Sequence, residues 1–359
     1  MASYSIAVIP GDGVGKEISD EALKICSAAA QKHGFAMEFQ TFDWGCDYYL
    51  THGRMNPDDM LDTLKTFDSI FLGCIGDANK VPDHISLTLL LKIRKGFDQY
   101  VNLRPIKLYP GVESPLKTAT PETIDMVVIR ENTEGEYAAN GGIFKAGTPD
   151  GFALQTAIFT YKGCERVMRY AFELARQRKK DGYAGQVTNC TKSNALNYSM
   201  VYWDTVFDEV AHSYPDIKTD KALVDALTMW MVKNPGSFDV VVASNLFGDI
   251  ITDLGAMLQG GMGFAAGGNI NPEKTYPSLF EPIHGSAPKY AGKGVVNPIA
   301  TIEAVRMMLE HLGETKAAGD VQKAVISVLT EGKVKTADMG GSHKTSDVGD
   351  EVRRKILES

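Results

Sequence analysis

Strand-length apolar runs alternate with helix-length amphipathic stripes almost from end to end of this chain. An α/β architecture, with helices laid on a sheet, buries both kinds of segment at once. The spacing predicts strands over 5–9, 69–72, 126–129, 185–188, 221–224 and 240–243. It predicts helices over 17–32, 162–178, 196–212, 246–259, 300–312 and 317–331. In the first helix Ile18, Ala22, Ile25, Ala28 and Ala29 recur at helical spacing and share one face. At 359 residues the chain exceeds one ordinary core and suits two domains. It has no repeat or long linker, so two crossings between domains are expected, near 100–105 and in the glycine-rich 260–268 segment.

Composition narrows the function. Hydrophobic content of 44% and charged content of 23% are those of an ordinary globular protein. The net charge is −8 and the basic residues are scattered, which gives no footprint for nucleic acid. The one basic cluster, Arg176-Gln177-Arg178-Lys179-Lys180, closes a predicted helix, where the dipole favours positive charge. No apolar stretch approaches a membrane span, and the N-terminus enters a strand without a signal peptide. The cysteines, Cys26, Cys46, Cys74, Cys164 and Cys190, are odd in number and lack paired metal-ligand spacing. They read as reduced, packed thiols of a cytoplasmic protein.

The chemistry starts at Asp249 and Asp253. Both follow the Val240–Ala243 run, one helical turn apart, so their carboxylates share a face. Asp225 closes another predicted strand upstream. Like charges this close call for a hard divalent cation with oxygen ligands, Mg²⁺ or Mn²⁺. Taken alone, a pair of aspartates is equally explained by the preference of a helix N-terminus for negative charge.

Arg94, Arg104 and Arg130 form a second set, and Arg104 and Arg130 end apolar runs. Arginines on rigid backbone suit bidentate recognition of carboxylates, and three of them beside a metal suggest a small diacid. Tyr137 is a candidate proton donor and Lys192, just after a strand, a candidate base. Packing explains the first equally well, and a loop cap the second. The turn Pro10-Gly11-Asp12-Gly13-Val14-Gly15 resembles a dinucleotide fingerprint only superficially. Its spacing is wrong and Asp12 would repel a pyrophosphate, so it reads as a structural turn bordering a cofactor. The loop from Phe280 to Pro298, rich in glycine, serine and proline, has the composition of an ordinary surface loop and also of many ligand-binding loops.

Four stretches together are specific: Asn102-Leu103-Arg104-Pro105, Arg130-Glu131-Asn132-Thr133-Glu134-Gly135-Glu136-Tyr137, Asn245-Leu246-Phe247-Gly248-Asp249 and His284-Gly285-Ser286-Ala287-Pro288. In them the chain resembles the metal-dependent β-decarboxylating dehydrogenases, which act on isocitrate, 3-isopropylmalate, tartrate or D-malate. The resemblance spans nearly the whole sequence and is closest to the tartrate/D-malate branch. It implies an isopropylmalate-dehydrogenase-like two-domain α/β fold rather than a Rossmann domain, with the active site in the interdomain cleft. Residues 1–100 with 260–359 would form the large cofactor-binding domain, and 101–259 the substrate and dimerisation domain. By the same matching, Arg94, Arg104 and Arg130 hold substrate carboxylates. Asp249 and Asp253 bind the metal together with Asp225 of the partner subunit in a homodimer. Lys192 of the partner subunit stands beside Tyr137, as base and proton donor. A potassium ion is a further expected cofactor.

The cofactor adenosine is expected along the 281–297 loop, at Glu281, His284, Gly285, Ser286, Ala287, Lys289, Tyr290 and Asn297. Relatives that use NAD place an acidic residue where this chain has Lys289. Lys289-Tyr290 resembles the pair of NADP-dependent isocitrate dehydrogenases, which leans the expectation toward NADP over NAD. Leu87, Leu89, Leu90 and Leu91 precede Arg94, and Leu90 is expected in an apolar pocket wall. Such a wall disfavours the third carboxylate of isocitrate. It leaves D-malate or tartrate as first choice and a 3-alkylmalate such as 3-isopropylmalate as alternative, although some of these leucines equally suit helix core. A non-catalytic regulatory subunit would show a broken set, whereas Lys192, Tyr137, Asp225, Asp249 and Asp253 are all present.

Overall fold

The computed structural model describes residues 2–358. The chain divides into two compact units. The first contains the residues up to Gln99, Lys107–Pro121 and those from Ala256 onward; the second contains Tyr100–Ile106 and Glu122–Gly255. The Lys107–Pro121 excursion into the first unit is an additional crossing that no composition change marks.

In the first unit the strands run in the order Ala36–Thr41, Ser3–Gly11, Ser69–Cys74, Ser278–Pro282, Ala266–Ile270. The first four are parallel and the last is antiparallel to Ser278–Pro282. Ile6, Ala7, Val8 and Ile9 are wholly buried. A strand covered on both faces is apolar without alternation, which is why this segment is a continuous run. Helix Gly15–His33 covers it with the expected stripe and packs against Ile299–Leu312, Thr315–Glu331 and Thr345–Glu358.

The second unit has strands in the order Val101–Lys107, Asp125–Glu131, Val240–Ala243, Gln186–Thr191, Lys218–Leu223. Val240–Ala243 lies parallel between Asp125–Glu131 and Gln186–Thr191, with every residue buried. Burial of each such valine is worth about 1.5–3 kcal/mol. Helix Tyr161–Lys180 is capped by Thr160, whose side chain accepts from the Gly163 amide. Phe172 of this helix packs against Phe207 and Tyr214. Its basic end does more than answer the dipole: Arg178 Nε donates to Asp239 at 2.5 Å and Nη2 to the Asp125 carbonyl at 2.9 Å.

Several features depart from the sequence expectation: strands Ala36–Thr41, Val101–Lys107, Ala266–Ile270 and Ser278–Pro282 are not among those predicted, and Glu281 lies in the last of them rather than in a loop. Asp225 does not end a strand: the strand is Lys218–Leu223, and Asp225 stands in the first turn of helix Val224–Lys233. Negative charge is stabilised there by the helix dipole. An antiparallel hairpin, Gly135–Phe144 with Phe152–Ile158, was not foreseen. Its residues are largely exposed on both faces, so no apolar–polar alternation marks it.

All five cysteines are free and buried. Burial pushes the thiols of Cys26, Cys46 and Cys164 up to about 12, as expected of inert packed sulfurs. Among the described residues no helix is long and apolar enough to cross a membrane.

Candidate active site

The second unit brings Arg104, Arg130 and Tyr137 onto a single carboxylate. Asp249 lies one turn into helix Asn245–Leu258, directly after the buried Val240–Ala243 strand. Arg130 Nη1 donates to Asp249 Oδ1, Tyr137 Oη donates to Asp249 Oδ2 at 2.9 Å, and Arg104 Nη2 stands 3.7 Å from Oδ1. The Arg130 guanidinium also lies 5.4 Å from the Tyr137 ring centre. Arg130 comes from the Asp125–Glu131 strand and Arg104 from within Val101–Lys107, not from its end.

Neutral oxygens set the orientation of both arginines. Asn102 Oδ1 accepts from Arg104 Nε at 2.6 Å, and Thr252 Oγ1 accepts from Arg104 Nη1 at 2.7 Å. Asn245 Oδ1 accepts from Arg130 Nε at 3.1 Å and Nη2 at 2.7 Å. The Arg130 stem lies along Gly248, where an added Cβ would stand 2.5 Å from Arg130 Cγ. Only glycine leaves that room. Asn102 and Asn245 stand in the stretches that carry the resemblance, but their sequence context assigns them no role, and none marks Thr252. The partners of Thr252 and Asn245 are over a hundred residues away, whereas Asn102 meets Arg104 two residues on along the same strand.

Asp253 follows Asp249 by one turn on the same helix. Partial desolvation, and then the Asp249 charge, hold its carboxyl above the usual carboxylate range. Two hard-oxygen donors that repel one another are the donor set that a divalent cation satisfies, so the residues fit Mg²⁺ or Mn²⁺. Asp225 is engaged elsewhere in its own chain: its Oδ1 accepts from Lys192 Nζ at 2.7 Å. That bond holds the Asp225 carboxyl below the ordinary range. Among the described residues no three acidic, histidine or cysteine side chains converge within one chain.

The first unit holds the remaining expected residues. Arg94, in the last turn of helix Thr88–Gly96, is buried and donates through Nη2 to Glu281 Oε1 at 3.1 Å. Glu281 Oε1 also accepts from Asn269 Nδ2 at 2.7 Å. The Nε–H of Arg94 is buried without an acceptor, as a donor awaiting an anion would be. Leu90 is 7% exposed and belongs to the core of this unit together with Leu89; Leu87 and Leu91 are half-buried.

The loop after Ser278–Pro282 is braced by the glycine turn near the N-terminus. The Val14 amide donates to the Ser286 carbonyl at 2.8 Å, and Gly13, at φ +54°, has no space for a Cβ beside that carbonyl. Asp12 is fully used: its carboxylate accepts from the Cys46 and Gly76 amides at 2.8 Å each. This turn is therefore structural. Ser286 Oγ donates to the Gly76 carbonyl, and Ala287 takes a left-handed conformation at φ +38°. His284 Nδ1 lies 3.1 Å from the Gly285 carbonyl, which places the proton on Nδ1. Burial pushes the imidazole pKa down, and Nε2 is buried without a partner. An unpartnered acceptor in a braced loop fits a ligand that carries N–H donors. Asn297 Nδ2 donates to Asp338 at 3.0 Å, and Lys289 is exposed with its ammonium 4.8 Å from the Tyr290 ring centre.

A family model described as isocitrate/isopropylmalate dehydrogenase matches residues 5–352. The chain is 48% identical to the D-malate dehydrogenase (decarboxylating) of Escherichia coli K12 over 99% of each chain. It is also 48% identical to the tartrate dehydrogenase/decarboxylase of Pseudomonas putida, over 97% of this chain and 96% of that one. Among solved structures, isocitrate dehydrogenase from Methylococcus capsulatus superposes with a TM-score of 0.89 at 34% identity, over 99% of both chains.

Proposed function

Because the chain belongs to the isocitrate/isopropylmalate dehydrogenase family, we propose that it oxidatively decarboxylates a (2R)-2-hydroxy diacid, D-malate or tartrate. The observation that carries the reading is the convergence of Arg104, Arg130 and Tyr137 on Asp249, one turn from Asp253. It combines carboxylate recognition, a proton donor and a hard-cation donor pair in one place. The names of the relatives at 48% identity support the substrate class.

Asp249 and Asp253, with Asp225 of the partner subunit, would hold Mg²⁺ or Mn²⁺, which would supply Lewis acidity toward the substrate hydroxyl, and a bound nicotinamide would supply the hydride acceptor. Arg94, Arg104 and Arg130 bind the substrate carboxylates, and the neutral oxygens on Arg104 and Arg130 fix the direction of their forks. Lys192 of the partner subunit takes the proton of the C2 hydroxyl. The carboxylate β to the new ketone leaves as CO₂ with its bonding electrons retained at C3. Tyr137 Oη then delivers a proton to C3, so D-malate gives pyruvate.

A homodimer is part of the proposal. The second unit exposes Ile143, Leu154, Tyr198, Met229 and Trp230, with Tyr198 at 91% and Ile143 at 75%. Side chains of this size in water mark a surface that a second copy covers. Sedimentation at micromolar concentration is expected to give twice the mass of the 39.1 kDa chain.

Lys289 supports NADP as the cofactor, since its exposed ammonium would attract a 2′-phosphate that an acidic residue would repel. The decisive measurement is absorbance at the reduced-nicotinamide band with Mn²⁺, D-malate, tartrate or 3-isopropylmalate, and NAD or NADP, with and without chelator. Turnover that survives complete metal removal overturns the proposal. A strong NAD preference overturns the cofactor assignment alone, and Lys289→Asp is expected to shift preference toward NAD.

A further inference from the structure

Asn245 stands where three functional elements meet. It is 2% exposed and opens the helix that carries Asp249 and Asp253. Its Oδ1 accepts two bonds from the Arg130 fork, and its Nδ2 donates to the Glu134 carbonyl at 3.0 Å. The surroundings dictate this orientation: a guanidinium only donates and a carbonyl only accepts, so the amide cannot be reversed without losing all three bonds. Glu134 lies three residues before Tyr137. The 131–134 segment is otherwise tied to itself and to the neighbouring helix cap. Glu131 accepts from the Thr133 and Glu134 amides, and Glu134 accepts from the Thr160 amide and hydroxyl.

We propose that Asn245 is a positioning residue, a buried neutral amide that fixes the Arg130 guanidinium and the approach to Tyr137 in one frame. The assignment rests on the diacid chemistry proposed above. Neutrality is the point of the residue type. Asp249 already gives Arg130 a carboxylate. An aspartate at position 245 would keep the two acceptor bonds but add a second negative charge to the guanidinium. It would also turn an acceptor toward the Glu134 carbonyl, a repulsion in place of a bond. An alanine would remove both ties.

The test compares Asn245→Asp, which preserves shape, with Asn245→Ala in the full chain. Steady-state kinetics with Mn²⁺ and D-malate or tartrate are measured beside hydrogen exchange of the 133–137 amides and Tm. Asn245→Asp is expected to raise the diacid KM about tenfold while the cofactor KM stays unchanged. Asn245→Ala, which frees the Tyr137 approach, is expected to lower kcat about a hundredfold. Both variants are expected to exchange faster at 133–137 with Tm within a few degrees of wild type, a pattern that general destabilisation does not produce. Unchanged exchange at 133–137 overturns the proposal, and so does faster exchange with a wild-type diacid KM. If the wild type turns over no hydroxy diacid, the functional reading has failed, and exchange at 133–137 alone decides the positioning role.

Discussion

In the first unit Arg94 meets a carboxylate as deeply buried as itself: the side chains of Arg94 and Glu281 are 6% and 9% exposed. In the second, Arg104 and Arg130 take their geometry from the neutral oxygens of Asn102, Thr252 and Asn245. They share Asp249, which is 37% exposed. A buried ion pair is fixed, because removing either partner strands the other away from water. A carboxylate open to solvent on one side can accept a cation there, even though the arginines behind it are buried. The first arrangement fixes Arg94 in place while its Nε–H keeps no acceptor of its own, and the second leaves Asp249 within reach of a ligand.

Stability measurements can break this contrast, and Glu281→Gln is expected to have the largest effect. It leaves the Arg94 charge buried and unpaired and is expected to lower the unfolding free energy by about 3 kcal/mol, read by urea denaturation. The double variant Arg94→Met with Glu281→Gln is expected to recover most of that loss. If the single variant is neutral, the pair is not the buried anchor described.

Acid acts next, again on the first unit. His311, in the last turn of helix Ile299–Leu312, packs on Phe280 beside Glu281. Burial, and then the Lys274 charge, push its pKa down to about 4 from 6.5, outweighing the helix dipole. Below 6.5 the unfolded chain takes up a proton that folded His311 refuses until about 4. Stability is therefore expected to fall as pH drops through that window, by up to about 3 kcal/mol. His311→Gln is expected to flatten this part of the pH–stability curve.

In the second unit the effects on stability shrink while those on turnover grow. Asp249→Asn removes a carboxylate from the buried Arg130 guanidinium but leaves its Asn245 bonds. It is expected to lower the unfolding free energy by about 1–2 kcal/mol, less than Glu281→Gln, and to reduce kcat about a thousandfold. Lys192→Met removes an ion pair whose Asp225 side is 65% exposed. Removing so exposed a pair is expected to leave the urea midpoint unchanged, with turnover lost. A large fall in Tm for either variant would erase the distinction between the two units.

Much of the fold was legible because its signals are local. The Val240–Ala243 strand has its predicted bounds, and the Gly15–His33, Tyr161–Lys180 and Thr315–Glu331 helices extend the predicted spans by a few residues. The hairpin around Phe144 and Phe152, whose rings stack at 5.0 Å, was not legible. A segment exposed on both faces has no periodic contrast to read. Leu90 shows another ambiguity: an apolar residue near a functional arginine fits a pocket wall and a core equally well in sequence, and packing buries it among the apolar side chains of the first unit.

By itself, then, the sequence determined the alternating α/β plan and put the two aspartates on one face of one helix. Hydrogen-bond geometry between near neighbours dictates both. Tertiary structure alone decided that Arg94 would meet Glu281, that Arg104 and Arg130 would share Asp249, and that one amide at position 245 would hold two segments over a hundred residues upstream. Those choices depend on which strands lie side by side, and strand order is set by the burial of whole faces rather than by any residue's neighbours in the chain.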